Sequence, residues 1–262
     1  MVKLFDSTET IDNFLAGEVR IFSIHPKLKM KFCWIPAGEA MLGSPESEKE
    51  RHENEKEHRF TTKGFWLGKY EVMQGEWEGV MGNNPSRFSK IGNGKSTVAG
   101  LNTSRFPVEN VSWNDCQEFL KKCNLQGYAI RLPHEDEWEY AYRGGKGNKQ
   151  AFYWGNELKG DKANSIGEIP YGTEDTGAFL QRPSDVGSYE TVAPHPWGLC
   201  DMSGNVWEWC DNFYEDGAVL VMRGGCWRNI GGDCRGARRH SQSSDNRGHG
   251  LGFRVALIPL SK

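Results

Sequence analysis

The most unusual chemistry of this sequence lies in a polar segment, residues 228–250. Strand-like sequence flanks these 23 residues, which contain almost no apolar side chains, so an exposed loop is predicted. Lys, Glu, Met, Trp and Gln make up 63 of the 262 residues of the chain, but the segment contains only Gln242. No codon ending in C specifies these five amino acids. The composition is therefore typical of a segment whose AAC asparagine codons have been repeatedly randomised; an ordinary solvated loop is the alternative.

Cysteine is the other residue type that could perform chemistry here. The odd number of cysteines and the absence of CxxC spacing disfavour both a zinc knuckle and a complete disulfide framework. Cys116 and Cys123 lie about 10 Å apart along a predicted helix, too far for a disulfide. We therefore predict mainly free thiols. The seven cysteines are Cys33, Cys116, Cys123, Cys200, Cys210, Cys226 and Cys234.

Other catalytic patterns are not found. No Ser-His-Asp order and no phosphate-binding glycine loop stands out. Glu137 and Glu139 lie in a predicted helix without a second carboxylate at a glycosidase-like spacing, so they are predicted to form caps and surface contacts. His134 is predicted in the first turn of the same helix.

The bulk composition limits the partners of the chain. The formal net charge is −3 and the pI is near 6.2, so the overall field attracts neither nucleic acid nor an anionic membrane. There is no run of eighteen apolar residues, and the first residues lack the pattern of a secretory signal. A soluble chain that does not bind nucleic acid is predicted.

Three helices are predicted to position the rest of the chain. The first spans residues 72–80, the second begins with Ser112 as its N-cap, and the third has Pro133 in its first turn and ends at Gly144. A strand is predicted at residues 65–70.

The remaining elements are predicted to be short. Residues 30–43 are predicted to form a hairpin that turns at residues 36–39, and the charged run 46–59 is predicted to be a solvated loop. Large aromatic rings are expected to fill the core. The predicted core tryptophans are Trp113, Trp138, Trp207, Trp209 and Trp227.

Seven sequence blocks in order resemble the formylglycine-generating-enzyme (sulfatase-modifying factor) family. The resemblance covers residues 30–258, and it implies an α+β fold of the C-type-lectin-like class, formylglycine-generating-enzyme subtype, with much irregular structure. The blocks are Ile35–Gly38, Lys69–Val72, Pro107–Trp113, Arg131–Ala141, Gly198–Trp209, Arg223–Trp227 and Leu251–Val255.

The oxidase branch of that family uses two cysteines five residues apart, which bind copper as soft thiolates. Here Cys226 and Cys234 are eight residues apart, so this motif is absent. Cys226 stands where the family usually has serine, directly after two glycines. We predict a small, partly buried residue there, and an oxidase or related enzyme that uses Cys226 is the alternative.

The C-terminal sequence also resembles the variable proteins that retroelements diversify, including those of the Treponema type. Their frame of fixed residues is matched by Arg223–Trp227, Cys234-Arg235, Arg239, Asp245–Arg247 and Gly252–Arg254. This resemblance implies a non-catalytic protein, displayed on a cell surface or exported, whose variable side chains bind diverse ligands.

Under that resemblance, the residues between the frame positions bind an unknown macromolecular ligand, which we expect to be a protein. They are expected to be exposed, because a scaffold tolerates replacement of its exposed loop residues. Arg and His dominate the polar set, which favours an acidic or phosphate-like epitope. The candidates are Arg228, Asn229, Ile230, Gly231, Gly232, Asp233, Gly236, Arg238, His240, Ser241, Ser243, Ser244, Gly248, His249 and Gly250.

Calcium is the metal that the family resemblance implies, although no cofactor is required for binding. Matching positions form two oxygen-rich sets, and turns held by side-chain hydrogen bonds are the alternative explanation for them. The first set is Asn164, Ser165 and Asp175, and the second, which matches better, is Asp201, Met202, Gly204 and Asn205.

One main domain is predicted because there is no internal repeat and no low-complexity linker. Residues 1–29, with weak helical periodicity at Ile11, Phe14 and Leu15, are interpreted as an appendage. Residues 30–262 form the predicted domain, in which residues 223–254 contain the variable region.

Overall fold

The computed structural model describes residues 14–214 and 217–260. Short strands and three helices are joined by long irregular segments, as predicted. None of the helices in these two ranges is long and apolar enough to cross a membrane. The helices are α1 Gln74–Met81, α2 Trp113–Lys121 and α3 Glu135–Arg143. The strands are β1 Val19–His25, β2 Leu28–Ile35, β3 Gly38–Leu42, β4 His58–Thr62, β5 Phe65–Gly68, β6 Tyr128–Arg131, β7 Trp207–Phe213, β8 Leu220–Arg223, β9 Arg239–Gln242, β10 Leu251–Gly252 and β11 Ala256–Pro259.

The largest sheet has five strands in the order β1-β2-β5-β11-β6. Strand β1 pairs with β2, and Phe22, Ile24 and Leu28 are buried in the main core. The part of the predicted appendage from residue 19 onward therefore belongs to the sheet, because its alternating apolar side chains complete one face. Phe14 and Leu15 are not helical, and Ile11 lies outside the described residues.

The second sheet supports the C-terminal region. Its order is β10-β7-β8-β9, with β10 parallel to β7 and the other pairs antiparallel. Strand β9 itself belongs to the polar segment 228–250. The segment is therefore anchored to a sheet at its middle.

The predicted hairpin at residues 30–43 is wrong. Strand β3 pairs with β4, whereas both edges of β2 are occupied by β1 and β5. Strand β1, which directly precedes β2 in the chain, and the more distant β5 thus displace β3 as partners of β2, which the turn pattern at residues 36–39 does not reveal.

The three helices lie within a few residues of their predicted positions. Ser112 caps α2 by accepting a hydrogen bond from the Asp115 backbone N–H, and Gly144 ends α3 in the left-handed conformation at φ 56°. Helix α3 begins later than predicted, with His134 as its N-cap. Pro133 precedes the helix because its carbonyl accepts a hydrogen bond from Asp211 in β7.

Aromatic rings fill the core, as expected. Trp138 and Trp209 are fully buried, Trp207 and Trp227 are buried, and Trp113 is half-buried. Trp138 stacks on another ring of α3, Tyr142, with centroids 5.3 Å apart. Nε1 of Trp138 also donates to Glu208 of β7 at 2.7 Å, which fixes α3 next to the second sheet.

Candidate functional site

The C-terminal segment, residues 228–250, begins just after the glycine pair Gly224–Gly225. It forms a short 3-10 turn at Gly231–Cys234, becomes strand β9, and then loops back toward β10. Both glycines of the pair have positive φ, at 98° and 74°, a conformation that other residues adopt only with strain. The pair lets the chain leave β8 and pass close over Trp138 and Cys234.

Five arginines of the predicted frame are each bound to a carboxylate from another part of the chain. Such charge-assisted pairs hold the backbone in place, because each guanidinium offers several fixed donors. The pairs are Arg223 with Glu139, Arg235 with Glu48 and Glu55, Arg239 with Glu135, Arg247 with Asp115, and Arg254 with Glu208.

Arg235 lies deepest of the frame residues within the segment. Its guanidinium donates to Glu55 at 2.8 and 2.9 Å, and also to Glu48. Burial alone would raise the pKa of the Glu55 carboxyl, but the hydrogen bonds and charge of Arg235 hold it below its usual value. At Glu48 burial outweighs Arg235, and its pKa is raised.

These contacts correct two sequence predictions. The charged run 46–59 is not merely a solvated loop, since Glu48 and Glu55 are buried against Arg235. Glu139 is not a surface residue either, because it is buried between Arg143 and Arg223. The sequence analysis missed the burial of these acids, because their hydropathy predicts exposure. Their partners Arg235 and Arg223 lie far along the chain.

The candidate ligand-binding residues fall into three classes of exposure. Arg228, Ile230, His240 and Ser243 are exposed. Seven are half-buried, and four glycines are buried. The half-buried residues are Asn229, Asp233, Arg238, Ser241, Ser244, Gly248 and His249.

The expected exposure is wrong for Gly231, Gly232, Gly236 and Gly250. A Cβ atom at Gly236 would lie 2.5 Å from Cε1 of Tyr142, and one at Gly250 would lie 2.8 Å from Sγ of Cys226. Built Cβ atoms at Gly231 and Gly232 also meet other atoms at under 3.0 Å. These four positions are close approaches of the backbone to the scaffold, so a side chain cannot be added without a shift.

Asn229 has a structural role within the segment. Its Oδ1 accepts hydrogen bonds from Nε1 of Trp207 at 2.9 Å and from the Cys226 thiol at 2.9 Å, and its Nδ2 donates to Asp233. Arg238 donates to the same Asp233 carboxylate group at 3.1 Å. Replacement of Asn229 would therefore leave the buried Trp207 donor without its acceptor.

Cys226, the alternative catalytic residue, is a buried thiol. Burial raises its pKa to about 11, and burial raises the pKa of Cys234 well above its usual value. Both sulfur atoms are therefore protonated at neutral pH, whereas a nucleophile or a copper ligand is a thiolate. All seven cysteines are free.

In the second calcium set, some of the oxygen atoms take part in hydrogen bonds within the chain. Oδ1 of Asn205 accepts hydrogen bonds from Nδ2 of Asn164 and from both the backbone N–H and the hydroxyl of Ser184. The Asp201 carboxylate accepts from the backbone N–H of Gly187, and burial raises its pKa to about 6. Met202 is buried in the apolar core. Hydrogen-bond donors thus occupy Oδ1 of Asn205 and one carboxylate oxygen of Asp201, and calcium at this set remains a prediction.

The first calcium set fits in part. Oδ1 of Asn164 and Oγ of Ser165 are buried oxygen atoms that have no hydrogen-bond partner among the described residues. The Asp175 carboxylate is bound by Nζ of Lys159 at 2.8 Å. Calcium here remains a prediction, with Asn164, Ser165 and Asp175 as the residues that would hold it.

The fold and the site define a class: an α+β domain with little regular structure, whose C-terminal loop is fixed by buried arginines. The chain belongs to the family of the sulfatase-modifying factor enzyme 1-like domain, whose model matches residues 22–258. The predicted family and its C-type-lectin-like fold are therefore confirmed.

Two relatives illustrate the range of the family. The "Inactive C-alpha-formylglycine-generating enzyme 2" of Bos taurus is 36% identical over 160 residues, which is 58% of this chain and 50% of that protein. The "Formylglycine-generating enzyme" of Streptomyces coelicolor is 34% identical over 174 residues, 57% of this chain and 52% of that one. The matches thus span only about half the length of these relatives, and they include proteins named as active and as inactive.

Two solved structures share the fold over nearly their whole length. "Treponema denticola variable protein 1" aligns with a TM-score of 0.70 at 24% identity, and covers 92% of this chain and 99% of that one. PvdO from Pseudomonas aeruginosa aligns with a TM-score of 0.69 at 23% identity, and covers 91% and 97% respectively. The predicted similarity to a Treponema variable protein is thereby confirmed at the level of the fold.

Proposed function

We propose that this chain is a non-catalytic, surface-displayed or exported protein that binds macromolecular ligands, most directly proteins, through a diversified C-terminal segment. The observation that carries the proposal is the division of residues in and around the segment. Frame arginines are bound to scaffold carboxylates, whereas Arg228, Ile230, His240 and Ser243 point into solvent between them. Such a division allows the exposed side chains to change while the loop backbone stays in place.

The buried thiols support the same proposal against the oxidase alternative. Cys226 is protonated at neutral pH, and its neighbour Asn229 is an amide that provides no base. The absence of the five-residue cysteine spacing agrees with this. Formation of formylglycine from a peptide cysteine by the purified chain with copper would contradict the proposal.

Sequencing of the encoding locus tests diversification directly. We expect a near-copy of codons 223–254 next to a reverse transcriptase gene, differing from the coding copy mainly at adenines. The differences should fall on the exposed and half-buried candidates other than Asn229, and spare the codons of the frame arginines, Asn229 and the four buried glycines. A locus without any such copy would contradict diversification, and the segment would then be explained as an ordinary solvated loop.

Ligand binding is tested with two displayed pools of variants. The first pool randomises Arg228, Ile230, His240 and Ser243, and the matched control pool randomises Arg223, Arg235, Arg239 and Arg254. We expect the first pool to stay folded and to give different binders against an acidic and a basic purified protein, and the control pool to lose folded molecules. Equal folding of both pools, or no binders from the first, would contradict the proposal.

A further inference from the structure

A polar cavity of about 340 Å³ adjoins the C-terminal segment. One wall is the loop of residues 84–93, and the other includes His249 of the segment and Asn110. Nδ2 of Asn110 donates to the Pro85 carbonyl at 3.0 Å, which ties the two walls together. The cavity therefore combines scaffold residues with a candidate ligand-binding residue.

Two arginines place positive charge at this cavity, and both act on the same imidazole, that of His249. Arg87 lines it from the loop, and Arg228 contacts His249, with Nη1 and Nε2 3.2 Å apart. Burial lowers the pKa of His249, and the charges of Arg228 and Arg87 lower it further. Since both guanidinium charges act on one imidazole, they share the same small region.

Neither arginine is neutralised in the way that the frame arginines are. Over residues 14–214 and 217–260, Arg87 and Arg228 form no ion pair with a carboxylate, and Arg87 lies over the Phe88 ring at 5.8 Å. Glu109, whose carboxyl interacts with Arg87, is buried, accepts the Phe88 backbone N–H, and has its pKa raised to about 7 by burial. A neutral or partly neutral Glu109 leaves the excess positive charge in place.

The surrounding loop extends this positive region. Residues 79–108 contain Arg87, Lys90, Lys95 and Arg105 and no acidic side chain, although the whole chain has a net charge of −3. Arg87, Lys90 and Lys95 are exposed. Positive charge is thus concentrated beside the segment on a chain that is acidic overall, which attracts anionic ligands.

The cavity is also held rigid enough to recognise a ligand. The ring of His249 lies 5.9 Å from that of Trp227 and 6.4 Å from that of Phe88, and its carbonyl accepts Nε1 of Trp227 at 2.9 Å. The loop is closed by a hydrogen bond from the Gly94 N–H to the Arg87 carbonyl at 2.8 Å. Preorganised donors lose little entropy on binding.

We propose that this cavity binds side-chain carboxylates of an acidic segment of a protein ligand, with Arg87 and Arg228 as the cationic contacts and His249 between them. The inference rests on the proposed function and adds to it a chemical class of ligand and a binding residue, Arg87, that lies outside the diversified segment. Because Arg87 belongs to the scaffold, part of the positive charge persists whatever residue replaces Arg228.

The test uses a fluorescently labelled Glu-rich peptide and a peptide of the same length with Gln at every Glu. We expect the Glu-rich peptide to bind the full chain about tenfold more tightly by fluorescence anisotropy at low salt. The double variant Arg87→Ala/Arg228→Ala should weaken that binding about tenfold or more. Arg59→Ala, which removes an exposed guanidinium on β4 that is paired with Glu39, should change it less than about twofold.

Three results would overturn the inference. These are equal affinity for the two peptides, unchanged binding by the double variant, and a preference for labelled oligothymidylate over the Glu-rich peptide through the same arginines. If any of them occurs while the first variant pool still gives target-specific binders, only the inference about ligand chemistry fails. Failure of that pool to give binders would remove the proposed function itself.

Discussion

Arginine residues of the C-terminal region have two kinds of surroundings. Arg235 is fully buried with Glu48 and Glu55, whereas Arg228 is exposed and contacts His249 without a carboxylate partner among the described residues. Removal of a buried arginine greatly lowers the free energy of unfolding, because its desolvated carboxylate partners are left without a counter-charge. The two arginines therefore differ in their effect on folding although their residue type is the same.

We expect Arg235→Ala to lower the free energy of unfolding by about 3–5 kcal/mol, since it leaves Glu55 buried without its partner. Arg228→Ala is the matched control and should change it by less than about 0.5 kcal/mol. Urea unfolding followed by tryptophan fluorescence measures both. Similar effects of the two substitutions would show that the frame does not hold the loop.

Glu109 gives a prediction about pH. Burial raises its pKa from 4.5 to about 7, so the folded chain holds a proton that the unfolded chain has released. Its stabilising effect is complete below pH 4.5 and is lost as the pH rises through 7. We expect Glu109→Gln, which keeps the acceptor for the Phe88 N–H, to be relatively more stable at pH 8 than at pH 4.5. A constant difference from the parent chain between these two pH values would contradict the assigned pKa.

At the scale of elements, the sequence predicted what local patterns determine. Ser112 and Gly144 mark helix ends through their own capping chemistry, and both ends are correct. The hairpin at residues 30–43 failed because β2 pairs with β1 and with the distant β5, and Pro133 lies ahead of α3 with its carbonyl bonded to β7. Burial of glycines in the segment could not be predicted, since a glycine carries no hydropathic signal of its contacts.

The segment contains a matched pair of glycines, one that packs closely against the scaffold and one that has room for a side chain. A Cβ at Gly236 meets the Tyr142 ring at 2.5 Å, whereas one at Gly248 lies 3.7 Å from Cβ of Leu251, an ordinary contact. We expect Gly236→Ala to destabilise the chain by about 1–3 kcal/mol and Gly248→Ala to change stability by less than about 0.5 kcal/mol. Thermal unfolding of both variants checks this, and an equally tolerant Gly236 would restore it as a variable position.

For the whole molecule, the accessibility of the thiols shows how little cysteine chemistry the surface offers. Six cysteines are buried, and Cys123 is half-buried, with its pKa raised to about 11 by burial. We expect iodoacetamide at pH 8 to label at most Cys123 in the native chain and all seven thiols in urea, as counted by mass spectrometry. Rapid native labelling of Cys226 would favour the oxidase alternative instead.

The position of β11 has a consequence for biosynthesis. This strand follows the C-terminal segment along the chain, yet it lies between β5 and β6 inside the largest sheet. During translation the central sheet cannot close until the ribosome has passed the segment. Under the proposed function, each new version of the segment must therefore be tolerated before its own scaffold is complete. A version of the segment that prevents β11 from inserting leaves the facing edges of β5 and β6 unpaired. Such a nascent protein is exposed to chaperones and proteases. Folding itself thus filters the repertoire before any ligand is encountered.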